Sequence, residues 1–148
     1  ISGRVPMMRS REEISRALAE RGLDLTAQRL AITEFVLNRT DHPSADDVFR
    51  AVSAALPVVS KATVYNTLNL LVRERLLQAL TLQEGAVRYD PLLASHAHFL
   101  DTLTHRVVDI PPDRVRAVEH ELDPARFEIE EVQVIFRGRI RDGEPDAG

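Results

Sequence analysis

The chain has 148 residues, of which 44% are hydrophobic and 28% are charged, and it contains no cysteine. This composition is typical of a globular protein with one domain or two small ones, and it excludes disulfides, thiolate metal sites and a cysteine nucleophile. No stretch approaches the roughly 20 consecutive apolar residues of a membrane span, and no secretory signal opens the chain, so we expect a cytoplasmic protein without a membrane partner.

The net charge of -4 is unevenly distributed along the chain. Residues 1–83 carry 11 Lys+Arg against 9 Asp+Glu, whereas residues 84–148 carry 8 against 14. A near-neutral first half that contains arginines can approach phosphate groups, although its positive excess is far below that of a strongly basic nucleic-acid binder. The acidic second half is suited to holding cations.

Apolar residues at intervals of three and four predict four helices in the first half of the chain. Gly22 is placed to end the first helix, and Thr26, Ser44 and Ser60 are placed to cap the other three, with a capping box at Ser44. The predicted helices cover residues 9–21, 27–38, 45–56 and 61–75.

After the fourth helix the apolar pattern changes to alternation. Residues 77–82 and 86–89 read as two short strands around Gln83-Glu84-Gly85, which predicts a β-hairpin. Helices followed by a two-stranded wing are the layout of a winged-helix DNA-binding domain, which we assign to residues 9–90. In that layout the helix over 61–75 enters the major groove.

The second half predicts a smaller unit behind a hinge at residues 91–95. Its predicted elements are strands over 98–103 and 106–110, a helix from Pro111-Pro112 to about Leu122, and strand-rich residues 126–137. A β-β-α-β unit of this size, assigned to residues 96–138, buries little apolar surface alone, so we expect dimerisation. The predicted fold class is α+β. We expect residues 1–8 to be an appended, disordered remnant and residues 139–148 to be a flexible tail.

One short stretch carries candidate metal ligands. His96 and His98 project to the same face of a strand, roughly 7 Å apart at the backbone, and Asp90 and Asp109 lie on either side of them in the sequence. A His-x-His pair alone is more often a solvated polar face. Nitrogen and oxygen ligands without sulfur suit iron(II), manganese(II), zinc or nickel and do not choose among them.

Five short motifs occur in the order and spacing of one known family. They are residues 41–48 (DHPSADDV), 60–68 (SKATVYNTL), 88–90 (RYD), 96–98 (HAH) and 107–109 (VVD). With these motifs the chain resembles the ferric uptake regulator (Fur) family over about residues 10–138. It is most similar to the peroxide-sensing PerR branch, which has aspartate at the position of Asp109 where iron-sensing relatives tend to have glutamate.

The resemblance implies one regulatory divalent metal per subunit, physiologically iron(II) or manganese(II). In a crystal, zinc or nickel could occupy the same site. Its ligands would be His42, Asp90, His96, His98 and Asp109. These positions lie in both predicted domains, so the ion would act as a conformational clamp. The resemblance also implies that peroxide reacts with bound iron(II) and oxidises His42 or His96. By itself, His42 would read as a loop histidine before proline.

Some positions depart from the family pattern. Asp101 and Thr104 stand where most relatives have the first of two cysteine pairs of a structural zinc site, and residues 139–142 offer no second pair, so we expect no structural zinc. Ser95 and Ala97 replace ligands of a second regulatory site that some relatives have. We interpret His105 and His120 as solvated surface residues.

The candidate DNA contacts are assigned partly by chemistry and partly by resemblance. They are Gln28, Arg29, Ser60, Lys61, Thr63, Tyr65 and Asn66. The Tyr65 ring and the Thr63 methyl group can meet a thymine methyl group and Asn66 can bond adenine, which favours an A·T-rich palindromic operator. Asp24 departs from the family, which often has a basic residue there. Alternatively, Tyr65 is packed and Asn66 is merely exposed.

These features favour a homodimeric, metal-dependent repressor that responds to peroxide. The alternative within the family is repression that responds to iron, manganese or haem without peroxide sensing. A metal-dependent hydrolase or oxygenase is a more distant alternative, because five ligands leave little room for substrate and no spare carboxylate is an evident base. A metal-independent DNA-binding module would require a decayed site, whereas all five candidate ligands are present. We therefore expect no enzymatic activity.

Overall fold

The structure is a computed structural model, and it describes residues 9–83, 86–94, 96–116 and 120–141. The chain forms two compact units, one that ends at Leu93 and one that continues from Ala94. The first contains four helices and a two-stranded sheet, and the second contains a three-stranded sheet, so the fold is α+β as predicted. Among the described residues, no helix is both long and apolar enough to cross a membrane.

Each helix of the first unit begins after a hydroxyl residue. The helices are α1 (Arg11–Glu20), α2 (Ala27–Leu37), α3 (Ala45–Ala55) and α4 (Lys61–Arg73). The side chains of Ser10, Thr26, Ser44 and Ser60 each accept a hydrogen bond from the backbone N–H three residues later. These bonds satisfy N–H groups that the first turn leaves without a helical partner. The four predicted helices are confirmed, with small shifts at their ends.

The core of the first unit is organised around α4. Val64, Leu68 and Leu71 form one buried stripe along this helix, which packs against α2 and α3. The facing side chains come from the other three helices and include Ile14, Leu18, Ile32, Val36, Val48 and Val52. Because one face of α4 is held by this core, its opposite face is presented rigidly to solvent.

A β-hairpin follows α4, as the alternating pattern predicted. It pairs β1 (Gln78–Gln83) with β2 (Ala86–Asp90) in antiparallel register, and the intervening Glu84 and Gly85 lie outside the described residues. Tyr89 is buried in the helical core, and its backbone N–H donates to the Pro43 carbonyl at 2.9 Å. The hairpin is therefore anchored to the loop between α2 and α3.

The second unit is a three-stranded sheet in the order β4-β3-β5. Its strands are β3 (Ala97–Asp101), β4 (Val107–Ile110) and β5 (Ile135–Gly138). β3 pairs with β4 in antiparallel register and with β5 in parallel register. A parallel pair requires a long connection, which the chain between β4 and β5 provides.

That connection corrects two sequence predictions. Of the helix predicted from Pro111-Pro112 to about Leu122, the described residues form only a 3-10 turn at Pro112–Arg114, and residues 117–119 lie outside them. The strand-rich stretch predicted over 126–137 forms a strand only at β5. A short helix or strand is stabilised mainly by burying its apolar face. Here four large apolar side chains of these stretches remain 43–56% exposed, namely Leu122, Phe127, Ile129 and Val132.

Candidate metal ligands and nucleic-acid interface

The first unit brings together two of the candidate ligands, His42 from the loop after α2 and Asp90 from the end of β2. Their side chains are 2% and 0% exposed, and His42 Nε2 lies 3.2 Å from Asp90 Oδ2. The other carboxylate oxygen, Oδ1, accepts a hydrogen bond from the Leu92 N–H at 2.9 Å. One oxygen of Asp90 is therefore held by the backbone while the other faces the imidazole.

The backbone around His42 is held by β2. The Arg88 guanidinium donates to the His42 carbonyl with an Nη1–O distance of 3.2 Å, next to the bond between Tyr89 and Pro43. Arg88 was part of a sequence motif, but no role was predicted for it. The alternation along β2 could have indicated such a role, since it places Arg88 on the same face of the strand as the candidate ligand Asp90.

The second unit brings together the other three candidate ligands. His98 on β3 lies directly opposite Asp109 on β4 in the strand register, and both residues are buried. Asp109 Oδ1 lies 3.2 Å from His96 Nε2 and 3.5 Å from His98 Nε2. The two imidazole rings have centroids 4.4 Å apart. Two ring nitrogens therefore converge on one carboxylate oxygen.

The donor chemistry of both groups suits a divalent ion. Atoms bonded to one ion at about 2.1 Å lie about 3.0–3.4 Å apart, depending on the angle at the metal, and the imidazole–carboxylate pairs of this protein lie 3.2–3.5 Å apart. His96 Nδ1 lies 2.7 Å from the Ala94 carbonyl, which can only accept, so Nδ1 carries the proton. His96 thus turns Nε2 toward Asp109 while Nδ1 is held by the backbone, the orientation that a ligating histidine needs.

Several candidate DNA contacts of the first unit line one cleft of about 380 Å³. The cleft lies beside the first turn of α2 and is lined by Thr26, Ala27, Gln28, Arg29, Thr63 and Thr67. The start of a helix has N–H groups and a partial positive charge that favour an anion. The Arg29 guanidinium donates to the Asp24 carbonyl at 2.9 Å, which ties it to the preceding loop.

The remaining candidate contacts lie at the start of α4 and along its outer face. Ser60 caps the helix, and Lys61 places its ammonium 5.6 Å from the centre of the Phe49 ring, a cation–π distance. Tyr65 is 44% exposed, so it is not packed in the core, and Asn66 is exposed as well. These side chains are available to base edges in a groove.

Asp101 has a structural role that sequence reasoning did not find. This buried carboxylate at the end of β3 accepts hydrogen bonds from the backbone of two segments. Oδ1 takes the N–H groups of Leu103 and Thr104 at 2.9 and 3.0 Å, and Oδ2 takes that of Ile140, after β5, at 2.9 Å. Asp101 thus links the β3–β4 turn to residues that follow β5. His105 and His120 are exposed.

The Asp101 contacts predict how stability depends on pH. The N–H groups of Ile140, Thr104 and Leu103 hold the pKa of this carboxyl at about 2, below its usual 3.8. The stabilisation is therefore complete above about pH 4 and is lost as pH falls from 4 to 2. The difference in unfolding free energy between wild type and Asp101→Asn should be constant near neutrality and shrink through that window. Urea unfolding at several pH values measures it, and a difference that grows on acidification would contradict the assignment.

The chain matches one known protein family over most of its length. Residues 20–137 match the model of the ferric uptake regulator family. The peroxide operon regulator of Bacillus subtilis strain 168 is 35% identical over 98 residues, which cover 66% of this chain and 68% of that protein. The peroxide-responsive repressor PerR of Staphylococcus aureus strain Mu50 is 29% identical over 108 residues, 73% of each chain.

A solved structure gives the same fold at lower sequence identity. The crystal structure of the ferric uptake regulator of Vibrio cholerae superposes with a TM-score of 0.65. The two sequences are 18% identical, and the match covers 86% of this chain and 99% of that one. At this identity the likeness bears on the fold alone.

Proposed function

The chain belongs to the ferric uptake regulator family, and from that premise we propose that it is a homodimeric, metal-dependent repressor of transcription. Its relatives are transcriptional regulators rather than enzymes. The observation that carries the proposal is the presence, in each unit, of buried imidazole and carboxylate groups at the separation of metal ligands. We further propose a cytoplasmic location, where operator DNA is found.

We propose one regulatory ion per subunit, iron(II) or manganese(II). Its ligands would be His42, Asp90, His96, His98 and Asp109. Nitrogen and oxygen donors suit both metals, and the Nδ1 hydrogen bond of His96 leaves Nε2 ready to bind. A bound ion supplies positive charge that lets these donors converge. Since the set draws ligands from both units, metal binding would be coupled to the unit that contacts DNA.

We propose that this first unit binds an A·T-rich palindromic operator, with α4 in the major groove. Ser60, Lys61, Thr63, Tyr65 and Asn66 would contact the groove and its edges. Gln28 and Arg29 line the cleft at the start of α2 and would hold a phosphate there. A palindrome follows from the proposed dimer, because two-fold symmetry in the protein requires two-fold symmetry in the site.

We propose that the second unit forms the dimer without structural zinc. The chain has no cysteine to hold such an ion. Exposed apolar side chains, among them Phe127, Val132 and Phe136, offer a surface that a second copy would bury. Within the unit, the Asp101 carboxylate links the β3–β4 turn to Ile140, the two segments in which most relatives would have the cysteine pairs of a structural zinc ion.

We propose further that the repressor senses peroxide, because its relatives in Bacillus subtilis and Staphylococcus aureus are named as regulators that respond to peroxide. Oxidation of His42 or His96 in the iron-loaded protein would remove a ligand and release DNA. The alternative is a repressor that responds to iron, manganese or haem alone.

One set of binding measurements tests the repressor proposal. A duplex is first selected from random DNA by the manganese-loaded protein, and fluorescence anisotropy then measures its affinity with chelator, with manganese(II) and with iron(II). We expect tight binding only with metal. Binding that ignores chelator would overturn the metal-dependent proposal.

Peroxide treatment separates the two metals. We expect the iron form to lose DNA binding and the manganese form to retain it. Mass spectrometry should find an added oxygen on the His42 or His96 peptide of the iron form. Survival of the iron complex would reject peroxide sensing and leave the plain metal-responsive repressor.

A further inference from the structure

We propose that Arg88 is a positioning residue of the metal site, which holds the backbone of His42 so that its ring stays aimed at Asp90. The inference rests on the proposed metal site. It concerns a residue that provides no donor atom to the ion, since a guanidinium is always protonated and has no lone pair to offer.

The backbone conformation of His42 is disfavoured for two reasons. Its φ of 55° lies in the left-handed region, where residues with a Cβ are seldom found. It also precedes Pro43, and a following proline favours extended backbone. Such a conformation persists only where the surrounding structure determines it, and it is often found at functional sites.

Hydrogen bonds from β2 hold this conformation. Two adjacent residues of β2 bond the two carbonyls at this turn, the Arg88 side chain to the His42 oxygen at 3.2 Å and the Tyr89 backbone to the Pro43 oxygen at 2.9 Å. Pro43 has no N–H of its own with which to stabilise the turn. Both bonds are therefore contributions of β2 to a loop more than 40 residues earlier in the chain.

The geometry of β2 places Arg88 and Asp90 on one face of the strand. Alternate residues of a strand project from the same face, so Arg88 and Asp90 point the same way while Tyr89 enters the core. The strand thus presents one ligand, Asp90, and the group that positions the other, His42. Asp90 is itself held through Leu92. Both members of the pair are fixed before an ion arrives.

The charge of Arg88 makes the proposal testable by the sign of the effect. A fixed positive charge beside the site repels a cation, so electrostatics alone predicts tighter metal binding when Arg88 is replaced by a neutral residue. Positioning predicts the opposite, because His42 is released from its strained conformation and must be ordered again on binding.

The experiment measures manganese(II) affinity by calorimetry in the full-length protein. Arg88→Met keeps the length of the side chain at this half-buried position but removes the charge and the donors. We expect binding to weaken by about 10- to 100-fold, the usual cost of losing a group that orients a ligand. Arg88→Lys keeps a donor and should recover most of the loss. Arg88→Ala is a second neutral variant, and we expect the same loss of affinity as for Arg88→Met. The test can therefore be completed with one of the two if the other folds poorly.

Two controls distinguish positioning from a general structural role. Arg16 is an exposed arginine on α1, and Arg16→Ala should leave affinity unchanged. Cobalt(II) at saturation should give a different visible spectrum in Arg88→Met, because a misplaced His42 changes the coordination, whereas a merely less stable protein would give the wild-type spectrum once loaded.

The outcomes are separable. Wild type that binds manganese(II) while Arg88→Met or Arg88→Ala binds equally well or more tightly would overturn the positioning role alone. A wild-type protein that does not bind manganese(II) would overturn the proposed metal site and this inference with it.

Discussion

Replacement of His98 by alanine is expected to abolish metal-stimulated DNA binding while the first unit remains folded. His98 is buried on β3 and lies opposite Asp109 in the sheet. Its loss removes one proposed donor and leaves the Asp109 carboxylate with one fewer imidazole nearby. Manganese(II) affinity should fall by at least about 100-fold, more than for a group that only orients a ligand.

The measurement is anisotropy with the selected duplex across a manganese(II) titration. The matched control is His120→Ala, which removes an exposed imidazole from the same unit and should leave the titration unchanged. Circular dichroism of the metal-free proteins separates loss of a ligand from loss of fold. Wild-type DNA binding by His98→Ala at micromolar manganese(II) would show that His98 is not a ligand.

Leu68→Ala is expected to cause the largest loss of stability in the first unit. The side chain is fully buried at the centre of the α4 stripe and has neighbours from the other helices. Truncation of a buried leucine removes apolar surface that folding had taken out of water, and it leaves a cavity. Together these two effects cost about 2–5 kcal/mol of stability. Because folded proteins are stable by only about 5–15 kcal/mol, a substantial fraction of the free energy of unfolding should be lost.

Denaturant unfolding, followed by circular dichroism, measures this effect. The control is Asn69→Ala, one residue further along α4 on the exposed face, which should change stability by no more than about 0.5 kcal/mol. A loss below about 1 kcal/mol in Leu68→Ala would mean that the site repacks without a cavity. Both variants keep the proposed metal ligands intact.

The first unit could be predicted from sequence because its signals are local. Hydroxyl caps at Thr26, Ser44 and Ser60 satisfy the N–H groups of their own helices, and the apolar stripes follow a helical period. The hairpin was likewise predicted from the alternation of apolar and polar residues in its two strands. No long-range information is needed for such elements, so the fold class and the four helices followed from the chain alone.

The second unit was harder to predict from sequence because its helix and strands form only where another surface buries their apolar faces. The apolar residues of the 111–122 and 126–137 stretches have helical or strand spacing, but spacing stabilises an element only when its face is buried. Within the described residues of one chain, four of those apolar side chains remain exposed, namely Leu122, Phe127, Ile129 and Val132. A period in sequence shows which face would be buried, and only the tertiary structure shows whether a surface is there to bury it.

For the candidate metal site, too, some features followed from the sequence and others only from the tertiary structure. The sequence by itself determined the kind of donors, imidazole and carboxylate without sulfur, and the two-residue spacing of His96 and His98, because both are local properties of the chain. It gave no distance between His42 and Asp90, which are far apart in the chain. Only the tertiary structure decided that their side chains meet at 3.2 Å, that Arg88 holds His42 in a left-handed turn and that Asp101 joins two segments. These contacts depend on chain segments that meet only after folding, so no local pattern in the sequence encodes them.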